Sequence, residues 1–346
     1  MGFLDGILEK LNGNKEKKKA VALLSGGLDS LLAAKIMMEQ GFQVIGVVFV
    51  MQFAAKDVEK FAGKVHAFSR AAGIDVRTVD ISERFLKVLK SPEHGYGAQM
   101  NPCIDCKILM LRVAKEIMER EKAICVVTGE VLGERPMSQR KEALNIIRKK
   151  SALDGYLLRP LSAKLLDETI PEQEGVVDRN KLYAISGRSR APQFELAKKF
   201  GLNKYFAPAG GCLLTDPLFA QKMQDLAKHG KLAEEEIALL KYGRHFRLDS
   251  ETKAILGRSE EENSKLVAMK NPDDIVVRLK DEAGPYLILR GNTGPENLAK
   301  AAGLVISYSK FKTKDAMDVE YWKNEVETKL MSANPAGIEL LEKRVG

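Results

Sequence analysis

Cysteine is scarce in this chain. Four residues in 346 (Cys103, Cys106, Cys125 and Cys212) cannot staple a domain of this length, so a disulfide framework is excluded. Long apolar runs are missing too. The longest, around Val44 to Phe53, is interrupted by Gly46 and Gln52 and falls short of a membrane span. Residues 1–18 put a weak apolar pattern ahead of a lysine run, the reverse of a secretory leader. Gly6 defeats the myristoylation pattern. No internal repeat is present, and no low-complexity tract beyond the lysine run. These absences lead to the expectation of a soluble, cytoplasmic protein with reduced thiols and no membrane partner.

What is present suits a globular chain of two domains. Apolar residues make up 45% of it, and 55 basic against 47 acidic residues give a net charge of +8. A solvated basic surface accounts for such a charge, and so does a nucleic-acid partner.

The stretch "VALLSGGLDSLLAAK", residues 21–35, carries the first chemical signal. Val21 to Leu24 read as a short buried strand, and Leu28, Leu31, Leu32 and Ile36 follow helical spacing. Gly26 and Gly27 allow a tight turn between them. Ser25, Ser30 and the free N–H groups of the helix start then share one small volume, which makes an anion site. No lysine follows the glycines, so the loop of terminal-phosphate ATPases is excluded. The Gly-x-Gly-x-x-Gly pattern is absent as well.

Strands and helices alternate further on. Strands are expected at 42–51, 75–82, 123–129 and 155–162, with another at 180–186, and helices at 58–73, 82–89 and 103–122. The segment 90–102 reads as a long mobile loop. This alternation predicts an α/β fold, a doubly wound parallel sheet, with Ser25–Ser30, the Phe49–Phe53 region and Thr128–Glu130 on its C-terminal edge. The texture changes near residue 217. The expected domains are a basic arm (1–18), a nucleotide-binding domain (19–217), a helical linker (218–242) and a small α+β domain (243–346).

Cys103 and Cys106 open a helix, whose N-terminus lowers a thiol pKa, so both are expected as thiolates. Cys125 lies in a core strand. Cys212 sits in a loop after two glycines. Three thiols, Cys103, Cys106 and Cys212, are enough to hold a [4Fe–4S] cluster with one iron open to sulfide. Cys106 and Cys212 also suit a redox pair, one carrying a persulfide that the other resolves. Zinc would want a second pair, which is missing.

The Ser-Gly-Gly-Leu-Asp-Ser loop resembles the pyrophosphate loop of the adenine-nucleotide α-hydrolases. Four motifs in order resemble the tRNA 4-thiouridine synthetases: Ser25–Ser30, Cys106-Lys107 with Met110-Leu111-Arg112, Thr128-Gly129-Glu130-Val131-Leu132-Gly133 with Ser138-Gln139, and Leu158-Arg159-Pro160-Leu161. The resemblance spans roughly residues 20–215. "NPCxxC" is also similar to the tRNA 2-thiouridine synthetases, and the place of Cys212 is similar to cluster-dependent tRNA thiolases. "GRHFRL", "LGRSEEEN" and "GP" in the C-terminal part resemble the RNA-binding region of the NFACT proteins. Against the usual 4-thiouridine enzyme, the expectation is of only a short arm ahead of the loop and no rhodanese-like tail.

The resemblance implies ATP-dependent thiolation of a tRNA uridine. Ser25, Gly26, Gly27, Asp29 and Ser30 would hold the phosphates, with Asp29 near Mg²⁺. Thr128, Gly129 and Gln139 would complete the ATP site. Catalysis would fall to Asp29, Cys106 and Cys212. The implied cofactors are ATP, Mg²⁺ and a [4Fe–4S] cluster, and the implied partners are tRNA and a sulfur donor, sulfide or a persulfide carrier. Arg188 and Arg190 in "SGRSRAPQ" suit phosphates of ATP or RNA, and a solvated loop is the equal alternative. In "YGRHFRL", aromatic residues beside arginines suit RNA, and an alternating strand is the plainer alternative. Two other functions stay open: a synthetase that spends ATP on a small molecule, and a nucleotide- and RNA-binding protein without chemistry.

Overall fold

A computed structural model describes residues 17–51, 57–206, 212–323 and 328–346. Most of the expected basic arm lies outside the described residues, as do Phe53 and the two glycines before Cys212. The chain divides into two compact units, Met1–Cys212 and Leu213–Gly346.

The first unit runs β1 (Lys19–Leu23), α1 (Leu28–Glu39), β2 (Gln43–Val50), α2 (Val58–Ala71), β3 (Asp75–Asp80), α3 (Ser82–Lys90), α4 (Cys103–Glu121), β4 (Cys125–Val127), α5 (Lys141–Lys150), β5 (Leu157–Leu158), α6 (Ile170–Gln173) and α7 (Ala191–Lys199). Its sheet has the order β3-β2-β1-β4-β5, and every neighbouring pair is parallel. Ala20 and Ala22 of β1 face one core with α1, α2 and α7. Val21 and Leu23 face the other with α4 and α5. A strand covered on both faces needs a continuous apolar run, which explains why residues 20–24 carry one. The strand order reverses at β1, with β2 and β3 on one side and β4 and β5 on the other. In sheets of this kind ligands bind in a crevice beyond the carboxyl ends of the strands at such a reversal, here β1 and β4.

Three expectations change. The strand expected at 155–162 shrinks to two residues. Residues 180–186 form no strand. They hold a turn at Arg179–Lys181 and a single bridge from Ser186 to Leu132. The backbone curls there because Arg179 reaches inward to Ala163 O, Leu166 O and the buried Glu172 carboxylate. The loop at 90–102 is fastened rather than loose. Gly97 N donates to Asn101 O at 2.8 Å, and Tyr96 Oη donates to Leu89 O.

The second unit runs α8 (Pro217–Lys228), α9 (Glu234–Leu239), β6 (Arg244–Arg247), β7 (Lys253–Leu256), α10 (Glu260–Ala268), β8 (Ile275–Leu279), β9 (Leu287–Arg290), α11 (Pro295–Ser307), β10 (Met317–Trp322), β11 (Lys329–Ala333), α12 (Ile338–Leu341) and β12 (Arg344–Val345). Seven strands form an antiparallel sheet, order β11-β10-β8-β9-β7-β6-β12. Its core gathers Phe246, Leu256, Val277, Leu289, Leu304 and Val319. Residues 218–242 are not a separate linker. They contain α8 and α9, and Phe219, Met223 and Ile237 are buried in this unit.

Candidate functional site

The loop between β1 and α1 shows how a short polar stretch makes an anion cradle. Helix α1 begins after Gly27, which supplies no side-chain cap, so the first-turn N–H groups stay available. The loop's hydroxyls are turned on each other. Ser30 Oγ donates to Gly27 O at 2.8 Å and accepts from Ser25 N at 3.2 Å. Gly26 has φ +74, and a Cβ there would lie 2.4 Å from the Phe206 ring. Phe206 N in turn donates to Gly26 O at 2.8 Å. Both restrictions demand glycine.

Gly129, at the carboxyl end of β4, closes the other side of the crevice. A Cβ there would sit 2.4 Å from the Asp29 carbonyl carbon and the Ser30 nitrogen. The loops after β1 and β4 therefore touch backbone to backbone. Asp29 faces Arg190, whose Nη2 lies 3.1 and 3.3 Å from the two carboxylate oxygens. Arg190 Nε is 3.7 Å from Glu134. Burial raises the Asp29 carboxyl above its ordinary value, and the Arg190 charge only partly opposes it. Burial also raises Glu134, helped by the Asp29 charge. Burial thus leaves two carboxyls raised beside one shared arginine, and two such carboxylates are donors whose chemistry suits a divalent cation. Thr128 is buried, and its N–H pairs with Leu158 O at 3.1 Å. Gln139 is buried as well, but it holds the neighbouring turn: its Oε1 accepts from Arg135 N at 3.1 Å, and its carbonyl accepts from Gly133 N at 2.8 Å.

Glu130, one residue after Gly129, sits in a charge frame. Arg159 Nε donates to its Oε2 at 2.9 Å, Thr128 Oγ1 donates to the same oxygen at 3.2 Å, and Lys107 Nζ lies 3.7 Å from Oε1. Burial pushes this carboxyl up, but the Arg159 and Lys107 charges outweigh that and bring it below its ordinary value. The frame ties the start of α4, where Lys107 follows Cys106, to the loop that packs on Asp29.

The cysteines gather around this start. Cys103 Sγ accepts from Asn101 Nδ2 at 3.2 Å. Cys106 is not a ready thiolate. Burial pushes its thiol up to about 12, the charges of Cys212 and Cys103 add to the rise, and Lys107 opposes it. The expectation of a lowered value failed because Cys106 is the fourth residue of α4 and its N–H is already bonded to Pro102 O at 2.8 Å. The helix end has little left to offer its sulfur. These interactions bring Cys103, Cys106 and the exposed Cys212 into one electrostatic neighbourhood. Cys125 is apart, buried in β4, where burial raises its thiol to about 12.

Among the described residues, ligand atoms of three or more such groups come within 4.8 Å of one another only at Glu93, His94 and Asp105. Four sulfurs around one zinc lie roughly 3.8 Å apart, from the bond lengths of a tetrahedral site, so the three thiols do not form a single-ion site. Three thiols are a donor set whose chemistry suits an iron–sulfur cluster or the stepwise handling of sulfur.

The sequence reading missed Glu134 and the pairing of His94 with Asp105. His94 Nδ1 lies 2.8 Å from Asp105 Oδ1, and His94 N donates to Asp105 Oδ2 at 2.9 Å. Asp105 thereby pins the 90–102 loop between the two cysteines of α4. Only a carboxylate in the CxxC gap hinted at this. Arg190, which suited either ATP or RNA, is the partner of Asp29. "YGRHFRL" contains β6, but its burial does not alternate: Arg244 and Arg247 are half-buried and the two residues between them lie inside. His245 and Phe246 are fully buried, and burial holds His245 well below its ordinary value.

Comparison with known proteins agrees with this geometry. Residues 15–170 match the family model described as thiamine biosynthesis protein (ThiI). Residues 243–343 match the one described as NFACT protein RNA binding domain. A probable tRNA sulfurtransferase of Methanothermobacter thermautotrophicus is 31% identical over 167 residues, 46% of this chain and 41% of that protein. Another, from Thermococcus kodakarensis, is 32% identical over 182 residues, 51% of this chain and 44% of that one. A tRNA-specific 2-thiouridylase of Geobacter metallireducens is 31% identical over 123 residues, 30% of this chain and 33% of that protein. The chain thus spans less than half the length of these relatives. Its first unit is similar to the ThiI family and its second to the NFACT RNA-binding domain.

Proposed function

We propose that this protein is an ATP-dependent tRNA sulfurtransferase. The observation that carries the reading is a continuous path of contacts in the first unit. The β1–α1 loop touches Gly129, Glu130 follows Gly129, and Lys107 links Glu130 to Cys106. An anion cradle and a thiol cluster therefore share one frame. The relatives named as tRNA sulfurtransferases, and a second domain of an RNA-binding type, support tRNA as the substrate.

Ser25, Gly26, Gly27, Asp29 and Ser30 would bind the β- and γ-phosphates of ATP through backbone N–H groups and hydroxyls. Asp29 and Glu134 would hold Mg²⁺, which when bound neutralises charge on the departing pyrophosphate. A uridine carbonyl oxygen attacks the α-phosphorus. The new O–P bond replaces the bond to pyrophosphate, which leaves. A sulfur nucleophile held near Cys103, Cys106 and Cys212 then forms a C–S bond as the C–O bond to AMP breaks. Those three thiols also fit a [4Fe–4S] cluster, which would supply an open iron for sulfide. The uridine must leave its stack to enter the crevice.

Anaerobic purification with iron, acid-labile sulfide and visible absorbance, on wild type and Cys212→Ala, tests the sulfur site. About four iron and four sulfide per chain, lost in the variant, support the cluster. A colourless protein whose tRNA thiolation needs a persulfide donor and both Cys106 and Cys212 moves the chemistry to the redox pair. Thiolation that survives Cys106→Ala with Cys212→Ala overturns the proposal.

A further inference from the structure

The second unit holds a groove that the sulfur-transfer reading does not use. Its volume is about 1200 Å³, larger than the roughly 300–1,000 Å³ of a typical small-molecule site. The walls come from the start of β6, the turn into α10, the β8–β9 turn, the end of α11 and β10.

Guanidiniums lie on aromatic faces along it. Arg244 sits 4.9 Å from the centre of the Tyr308 ring. Arg278 lies 5.4 Å from Tyr286 and 5.5 Å from Trp322, and those two rings meet edge to face at 6.3 Å. Arg278 is held by the Glu320 carboxylate and the Tyr286 hydroxyl, whereas Arg244 has no carboxylate partner among the described residues.

The groove is built rather than incidental. Asn263 is buried, and both ends of its amide hold the β8–β9 turn: Nδ2 donates to Gly284 O at 3.2 Å, and Oδ1 accepts from Tyr286 N at 3.0 Å. A Cβ at Gly257 would lie 2.1 Å from that Oδ1, so glycine is required beneath it.

Charge decides what fits. Arg244, Arg258, Arg278 and Lys310 line the groove, and so do Glu260, Asp281, Glu282 and Glu320. The signs balance. The first turn of α10 is filled by Glu260, Glu261 and Glu262, which repel phosphate there. A phosphate-tracking channel would be uniformly basic. A groove of flat cation–aromatic pairs with both donors and acceptors suits bases, which offer two faces and mixed edges.

We propose that this groove takes unpaired nucleotides of RNA by stacking, with the bases on the Arg244–Tyr308 and Arg278–Tyr286 pairs. This rests on the reading of the second unit as RNA-binding and deepens it: the ligand is a single-stranded segment, not a duplex.

Trp322 is the sole tryptophan of the chain, and it neighbours Arg278, so its fluorescence reports on the groove. Full-length protein is titrated with short single-stranded RNA, with duplex RNA of the same sequence, and with an acidic peptide. The wild type, Arg244→Lys, Arg244→Ala and Arg278→Lys are compared. Single-stranded RNA is expected to change Trp322 emission and to bind more tightly than the duplex. Arg244→Lys keeps the charge but loses the planar face, so it should weaken binding about 10-fold, nearly as much as Arg244→Ala. Its salt slope should stay that of the wild type. Preference for the duplex, preference for the peptide, or full rescue by lysine overturns the proposal. Thermal unfolding of each variant separates loss of fold from loss of contact; if Arg244→Ala unfolds, the lysine variants decide. The sulfur-transfer reading fails separately. A protein that stacks RNA but thiolates nothing loses that reading alone, and one that thiolates tRNA while its groove variants bind like wild type loses the groove alone.

Discussion

Two neighbouring regions of the first unit bury carboxylates and treat them in opposite ways. Glu130 lies in a closed frame of Arg159, Lys107 and Thr128, and its carboxyl is held below the ordinary value. Asp29 and Glu134 share Arg190 between them, and burial leaves both raised. The first region is compensated and acts as a frame. The second is under-compensated, two carboxylates sharing one arginine, which supports the proposal that they hold a cation. The difference separates positioning groups from working groups where burial alone does not.

Breaking the frame should have the largest effect. Arg159→Met leaves a buried carboxylate short of its main partner and should cost about 3–5 kcal/mol in urea unfolding. Changing Glu130→Leu together with Arg159→Met should recover much of that loss. The frame also sets an acid limit. A carboxyl lowered in the folded state contributes stability above its unfolded value, about 4.3, and that stability is lost as pH falls through the folded value. The stability of wild type should therefore drop at acid pH more steeply than that of the double variant.

The working pair should respond in the other sense. Asp29→Asn is expected to cut ATP–pyrophosphate exchange by about 10²-fold or more. Its unfolding midpoint should stay level or rise, because a raised carboxyl destabilises the fold once ionised. A large stability loss in this variant would erase the distinction between the two regions. Gly129→Ala joins them: its Cβ would collide with the Asp29 backbone. It should lose about 1–3 kcal/mol of stability and weaken ATP binding measured by calorimetry.

The smallest effect concerns the thiols. In chelator-treated protein, alkylation of Cys106 followed by mass spectrometry should be slow near neutral pH, since its thiol stands at about 12. Lys107→Met should slow it further, about several-fold, by removing the charge that opposes the rise.

Much of the first unit was legible in the sequence. Continuous apolar runs placed β1 and β2, helical spacing placed α1, α2 and α4, and Gly26, Gly27 and Asp29 stood out because a strand–turn–helix with those residues has few other uses. Residues 180–186 misled because Leu182, Tyr183, Ala184 and Ile185 make a short apolar run like that of a buried strand, while Arg179 turns inward to reach Glu172. The raised thiol of Cys106 was invisible too. It depends on burial and on Cys212, far along the chain. Glu134 and the His94–Asp105 pair carried no spacing signal, since each meets its partner only through the fold. In the second unit, Arg244 stayed at the groove while its neighbours His245 and Phe246 went inside. Alternation would have put those two neighbours on opposite faces, so it foretold neither this split nor the aromatic ring beneath the arginine.

The central claim is that anion cradle and thiols form one sulfur-transfer site. Its most direct test is anaerobic incubation of the full-length protein with tRNA, ATP, Mg²⁺ and either sulfide or a persulfide donor, with mass spectrometry of the digested tRNA. The account predicts a thiouridine that appears only with ATP and is lost in both Asp29→Asn and Cys212→Ala. ATP cleavage without any thionucleoside, or a thionucleoside that forms in the absence of ATP, would contradict it.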